Sequence, residues 1–104
     1  FFIFTSEESM LEINKKFLDH NYHTDVISFD YSAEDKVRGE IYLGLETIRR
    51  NSVIYGSGIK EELVRVMIHG TLHLCGYRDE KKKDRERMLD RQEEKLKEFM
   101  ELIK

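Results

Sequence analysis

At 104 residues, 38% of them charged and 39% hydrophobic, the chain is sized for one folded domain, and wholesale disorder is excluded. A net charge of −3 excludes an overall basic nucleic-acid binder, so any RNA contact must come from local clusters. No apolar run approaches the ~20 residues needed to span a bilayer, and a single cysteine precludes an internal disulfide, which fits a reducing cytoplasm.

Phe1–Thr5 is aromatic and β-branched and reads as a strand. Its apolar start is too short for a signal peptide and lacks a basic leader. Because the chain opens on Phe and directly in a strand, a preceding segment is expected. Thr5 followed by Glu8 has the spacing of a capping box, and Met10, Ile13 and Phe17 predict a helix ending near Leu18. His20–His23 is a polar connection rather than a ligand source. Thr24–Phe29 is a second strand, Tyr31–Lys36 a charged turn, and Val37–Leu43 a third strand with Ile41 and Leu43 on one side. A helix over Glu46–Tyr55 is closed by Gly56 and Gly58. Lys60–Cys75 is the central helix, nearly surrounded by Leu63, Val64, Met67, Ile68, Leu72 and Leu74 and therefore expected to be buried. Gly76 is its left-handed cap. From about Glu80 a long polar helix carries Leu89, Leu96, Met100 and Ile103 as its apolar stripe. The sum is an α+β fold, a small mixed sheet covered by helices.

The chemistry concentrates in His69–Asp79, H-G-T-L-H-L-C-G-Y-R-D. His69 and His73, four residues apart, share one helix face, and Asp79 follows the glycine turn. Two imidazoles on rigid backbone and a carboxylate returned by a turn form a three-donor set of zinc-binding types with one position open. The alternative is two hydrogen-bonded histidines in an apolar helix. Three observations weigh against it. An unsatisfied ring there would cost about 1–3 kcal/mol. Gly70 inside the helix costs about 1 kcal/mol relative to Ala, as if something approached the backbone. Asp79 completes the spacing. Cys75 points away from the histidine face and reads as a small buried apolar residue.

H-G-T-L-H-L-C-G-Y resembles the signature of the YbeY family, H-G-x-L-H-L-x-G-Y-D-H, and Asp84 and Met88 take the later acidic and Met positions. T-D-V-I-S-F at Thr24–Phe29 is similar to that family's T-D-V-L-S-F strand. Asn14 matches its preceding helix and Gly39–Ile41 its G-D-I strand, in register from Phe2 to the terminal helix. The resemblance implies a zincin-like metal-binding central helix and a zinc-dependent endoribonuclease acting on single-stranded RNA. It further implies maturation of ribosomal RNA at the 16S 3′ end, ribosome quality control, and small-subunit proteins as partners. The family's N-terminal strand and helix have no counterpart in this sequence.

The departures from that pattern carry consequences. Asp79 stands where the family has its third histidine, and Arg78 where it has aspartate. A carboxylate leaves the cluster with one positive charge less than three imidazoles would, which admits Mn²⁺ as a competitor of Zn²⁺. Leu18 stands at a position where the family carries an arginine. Arg65, one turn before His69, is the first candidate to meet a phosphate in its place, or else a surface arginine that packs on the helix. Lys81, Lys82 and Lys83 could grip RNA backbone, although the interleaved acids also suit a solvated helix face. Asp25 and Ser28 either line the cleft or face a strand. The expected reaction is metal-assisted cleavage of a phosphodiester, with Arg65 or a lysine balancing charge and no residue marked as general base. Gly70, where H-E-x-x-H peptidases carry their base, argues against proteolysis. The competing reading is a ribosome-assembly or RNA-binding factor whose metal is structural.

Overall fold

The computed structural model describes residues 1–18 and 24–103, and the expected connection His20–His23 lies outside the described residues. The chain folds as β1 (Phe2–Thr5), α1 (Glu7–Leu18), β2 (Val26–Asp30), β3 (Gly39–Gly44), α2 (Leu45–Tyr55), α3 (Ile59–Leu74) and α4 (Lys82–Leu102). Each described boundary falls within about two residues of the sequence expectation. The three strands form one mixed sheet in the order β1-β3-β2, with β1 parallel and β2 antiparallel to β3. The fold is therefore the expected α+β arrangement.

Register follows from the pleat. Ser28 pairs with Ile41 and Val26 with Leu43, so these four side chains share the face toward α3. On the other face the Phe29 ring meets Tyr42 edge-on at 5.7 Å and Phe17 of α1 at 5.6 Å. Ile41, Leu43, Ile48 and Val66 form the core, with Val26, Leu63, Met67 and Leu74 packed around them. Helix α3 packs against β2, β3, α2 and α4. Among the described residues, no helix is long and apolar enough to cross a membrane.

Four local expectations are corrected. The first helix is capped by Ser6, whose Oγ accepts from the Ser9 N–H at 3.1 Å, because Thr5 is still paired in β1. Helix α3 buries Glu62, Val66, Gly70 and Leu72, while Val64, Met67 and Ile68 are only half-buried. They line an apolar groove of about 580 Å³ closed partly by Phe2 and Phe99. Cys75 is exposed, since it lies one residue beyond α3 at the edge of that groove. The buried stripe of α4 is Met88, Gln92 and Leu96. Leu89 and Ile103 are exposed because packing follows i, i+4 steps through a polar residue that an apolar search passes over.

Gly70 sets the distance between α3 and the sheet. A Cβ there would stand 2.9 Å from Ile41 Cγ2 and 3.1 Å from Ser28 Oγ, so the expected close approach is made by β3 and β2. Gly70→Ala should destabilise the fold by about 1–3 kcal/mol in chemical denaturation, the cost of overpacking. A stabilised variant, as helix propensity alone would give, would show that α3 does not press on the sheet at this point.

Candidate metal centre

The end of α3 is built by its cap. Gly76, at φ 99°, takes the left-handed conformation, the Tyr77 N–H bonds to Leu72 O at 3.0 Å, and the Gly76 N–H bonds to His73 O at 3.1 Å. This is the paired bonding of a Schellman motif. The reversal turns the Tyr77 carbonyl back toward the helix, where it accepts from His73 Nδ1 at 3.2 Å. Two residues later Asp79 brings a carboxylate oxygen to 3.5 Å from His73 Nε2 and 3.9 Å from His69 Nε2. The two imidazoles stand edge to face with centroids 4.8 Å apart.

The inner nitrogen of His69 is held from α4. Its Nδ1–H donates to Gln92 Oε1 at 2.6 Å, and Gln92 Nε2 donates in turn to Glu93 at 3.1 Å. With both Nδ1 atoms committed as donors, the Nε2 lone pairs are left for a cation, the arrangement that orients metal-binding histidines. One donor atom from each of His69, His73 and Asp79 lies within 4.8 Å of the other two. A tetrahedral zinc site with bonds of about 2.0–2.2 Å has donor separations of about 3.4 Å. The two contacts to Asp79 are near that value, and the donor types match. The set fits a small divalent cation. Side-chain exposures of 24%, 31% and 43% for His69, His73 and Asp79 leave the carboxylate side open to a substrate.

A cavity of about 320 Å³ adjoins His69 and brings in Asp25, Asn51, Glu62, Arg65 and Gln92. Glu62 is only 3% exposed and is matched by Arg65 Nη1 at 2.7 Å and Ser57 Oγ at 3.2 Å. Arg65 also binds Glu93 through Nε and Nη2 at 3.0 and 3.2 Å. Its guanidinium is thus engaged by carboxylates beside the cluster, and through Glu93 and Gln92 it is linked to His69. Burial pushes the Asp25 carboxyl above its ordinary range. Its own backbone N–H and His69 oppose that shift, Glu62 adds to it, and Asn51, whose Nδ2 donates at 3.5 Å, opposes it. Ser28 Oγ reaches Gly70 O at 3.4 Å and serves packing. Lys81, Lys82 and Lys83 are exposed around the start of α4, beyond Asp79 in the chain. Leu18 closes α1 and is exposed.

Sequence reasoning missed Gln92 and Glu62 and left Asp25 open. The one available signal was Gln92 at i, i+4 spacing between Met88 and Leu96, a polar residue on the face that must be buried.

Gln92→Leu should lower divalent-metal affinity about 10–100-fold in a chelator-competition titration, with helical content unchanged. Unchanged affinity would show that Gln92 does not orient His69. Asp25 carries a raised carboxyl, so its contribution to stability is complete when protonated and is lost as pH rises through its folded value. In chelator, Asp25→Asn should therefore melt higher than the parent at neutral pH, with the difference vanishing toward about pH 3. A gain that persisted in acid would contradict burial as the cause.

The family model for endoribonuclease YbeY matches residues 2–100. Relatives named endoribonuclease YbeY include one from Flavobacterium psychrophilum, 47% identical over 94% of this chain and 70% of its own. Another, from Bacteroides thetaiotaomicron, is 46% identical over 84% of this chain and 64% of its own. A third, from Porphyromonas gingivalis, is 42% identical over 98% and 68%. A Thermotoga maritima protein with a known solution structure superposes with a TM-score of 0.67 at 34% identity. That match covers 93% of this chain and 65% of the other. The chain thus spans about two thirds of the length of the relatives it matches. The family match spans every strand and helix that carries the cluster built above, and the chain belongs to the endoribonuclease YbeY family.

Proposed function

We propose that this chain carries the active site of a metal-dependent endoribonuclease acting on single-stranded RNA in the maturation of ribosomal RNA, at the 16S 3′ end. The observation that carries the reading is the convergence of His69, His73 and Asp79 on one point, with the Nδ1 atoms of both rings tied down and the carboxylate side open. Structural zinc sites are closed by four protein donors, so three donors and an open side favour catalysis over a structural metal. Membership of a family whose relatives are named endoribonucleases supports the substrate class. A cytoplasmic location and partners on the small ribosomal subunit follow from the same reading.

In this mechanism His69 Nε2, His73 Nε2 and an Asp79 carboxylate oxygen hold the cation, Zn²⁺ or, given the carboxylate, Mn²⁺. When bound, the ion supplies Lewis acidity and positive charge where the phosphoryl group gains negative charge. Gln92 and the Tyr77 carbonyl keep the imidazoles aimed. Asp25, in the cavity beside His69, takes at a carboxylate oxygen the proton of the hydroxyl that attacks phosphorus, while the P–O bond to the 5′-oxygen breaks and solvent protonates that leaving oxygen. Lys81, Lys82 and Lys83 hold the RNA backbone as it crosses the start of α4. Their place at the positive end of the helix dipole costs stability unless an anion sits there. Arg65 answers a phosphate by exchanging its exposed partner Glu93 while keeping Glu62. Gly70 is pressed against Ile41, which leaves no room for a peptidase's glutamate.

His73→Ala should lower cleavage of single-stranded RNA, assayed in added Zn²⁺ or Mn²⁺, by at least about 100-fold. Cleavage unchanged in that variant would reveal a contaminating nuclease and overturn the proposal. By elemental analysis, Asp79→Ala should lose metal while Asp79→His keeps it, and equal content in both would remove Asp79 from the donor set.

A further inference from the structure

The cavity that holds His73 and Asp79, about 250 Å³, also reaches Gly76, Tyr77 and Arg78. Those last three residues also line a second cavity of about 360 Å³, together with Cys75, Asp84 and Arg87. Arg78 thus lines both the cavity of the candidate metal centre and the cavity that holds Arg87 on the first turns of α4, and the path along the turn passes it.

The arginines of the chain are unequal in their availability. Arg65, Arg50 and Arg91 are each bound by carboxylates, at 2.7 to 3.2 Å. Neither the Arg78 nor the Arg87 guanidinium has an ion-pair or hydrogen-bonding partner among the described residues. Acids do line the path: Asp30 and Glu80 in the first cavity and Asp84 in the second. Asp30 is occupied by the Ser32 N–H at 2.8 Å. Asp84 stands beyond ion-pair distance of both arginines, so it sets the local field without engaging either guanidinium. An anion entering this path thus meets two planar guanidinium forks with their donors unspent, the geometry that takes a phosphate through paired hydrogen bonds.

We infer that Arg78 and Arg87 form a phosphate subsite that holds the RNA backbone one step away from the phosphodiester at the metal centre. The inference rests on the endoribonuclease reading for its ligand and assigns a role to two residues outside the His69–His73–Asp79 set. Arg78 is the nearer of the two in the chain, one residue before Asp79, and it lines both cavities. A strand threaded along the path would have one phosphate at the cluster and the next against Arg78. Arg87 would then hold the following phosphate.

The test measures binding apart from cleavage. Affinity for a 2′-O-methylated oligouridylate is followed by fluorescence anisotropy across a salt series, with the protein as purified and after chelation. Each phosphate contact to a single strand contributes about 0.7 to the slope of log K against log salt. Arg78→Ala should reduce the slope by about 0.7 and weaken binding about tenfold, and Arg87→Ala should act likewise, with the double variant near 1.4 in slope. Arg49→Ala, an exposed arginine on α2, serves as the control for loss of one charge and should leave the slope unchanged. Metal content, measured in parallel, should equal the parent's in all variants. A slope unchanged in Arg78→Ala and Arg87→Ala, or a drop equal to that of Arg49→Ala, overturns the subsite even if the parent cleaves RNA. If the parent binds with the expected slopes and never cleaves, the endoribonuclease reading fails and the subsite stands. Arg78→Lys should recover the slope but not the full affinity, because a point charge replaces the fork.

Discussion

The arrangement depends on how closely α3 lies on the sheet. With no side chain at Gly70, the helix backbone rests on Ile41 and Ser28, and this contact fixes the rotation of α3 about its own axis. His69 flanks Gly70 and His73 lies three residues beyond it, so the same rotation aims both imidazoles into the cleft bounded by α4 and the turn after Gly76. A bulkier residue would lift the helix and swing both rings together. The apolar core of Ile41, Leu43, Ile48 and Val66 holds the contact closed.

A second layer of contacts converts this placement into usable donors. His69 is steered from α4 through Gln92, and Gln92 is itself steered by Glu93, which is shared with Arg65. Arg65 returns to Glu62 on its own helix. The chain of contacts ties α3 to α4 at the level of the candidate metal centre, so the orientation of His69 depends on the packing of two helices whose contact lies more than twenty residues apart in sequence. His73 needs no distant partner, because the Schellman cap presents the Tyr77 carbonyl to it. The two imidazoles are thus oriented by different devices, one local and one tertiary.

The electrostatics of the cleft are mixed. Buried Glu62 is neutralised by Arg65, whereas burial raises the Asp25 carboxyl against the opposing pull of its own backbone N–H, of His69 and, least, of Asn51. Asp79 lends the candidate centre a negative charge where three imidazoles would have none, so a bound cation would be less electrophilic there and more tolerant of oxygen-preferring metals. Arg78 and Arg87, without carboxylate partners among the described residues, line a cavity at the same turn. Negative donors for a cation and free cations for a phosphate are therefore separated by only a few residues of chain.

The sequence by itself determined what depends on neighbours in the chain. Helical spacing put His69 and His73 on one face, Gly76 announced the left-handed cap, and the order of strands and helices followed from periods of two and 3.6. The resemblance to the YbeY family likewise rests on linear motifs, and those reached from the first strand to the last helix. Only the tertiary structure decided which face of α4 was buried, because the stripe runs through Gln92 and a polar residue gives no apolar signal. It also decided that Cys75 is exposed and that one face of α3 lines an open groove, since covering a face depends on which elements are brought against it. The same holds for Asp25, Glu62 and the carboxylates that engage Arg65. Their roles come from burial and from partners far along the chain, and a pattern of residue types carries neither.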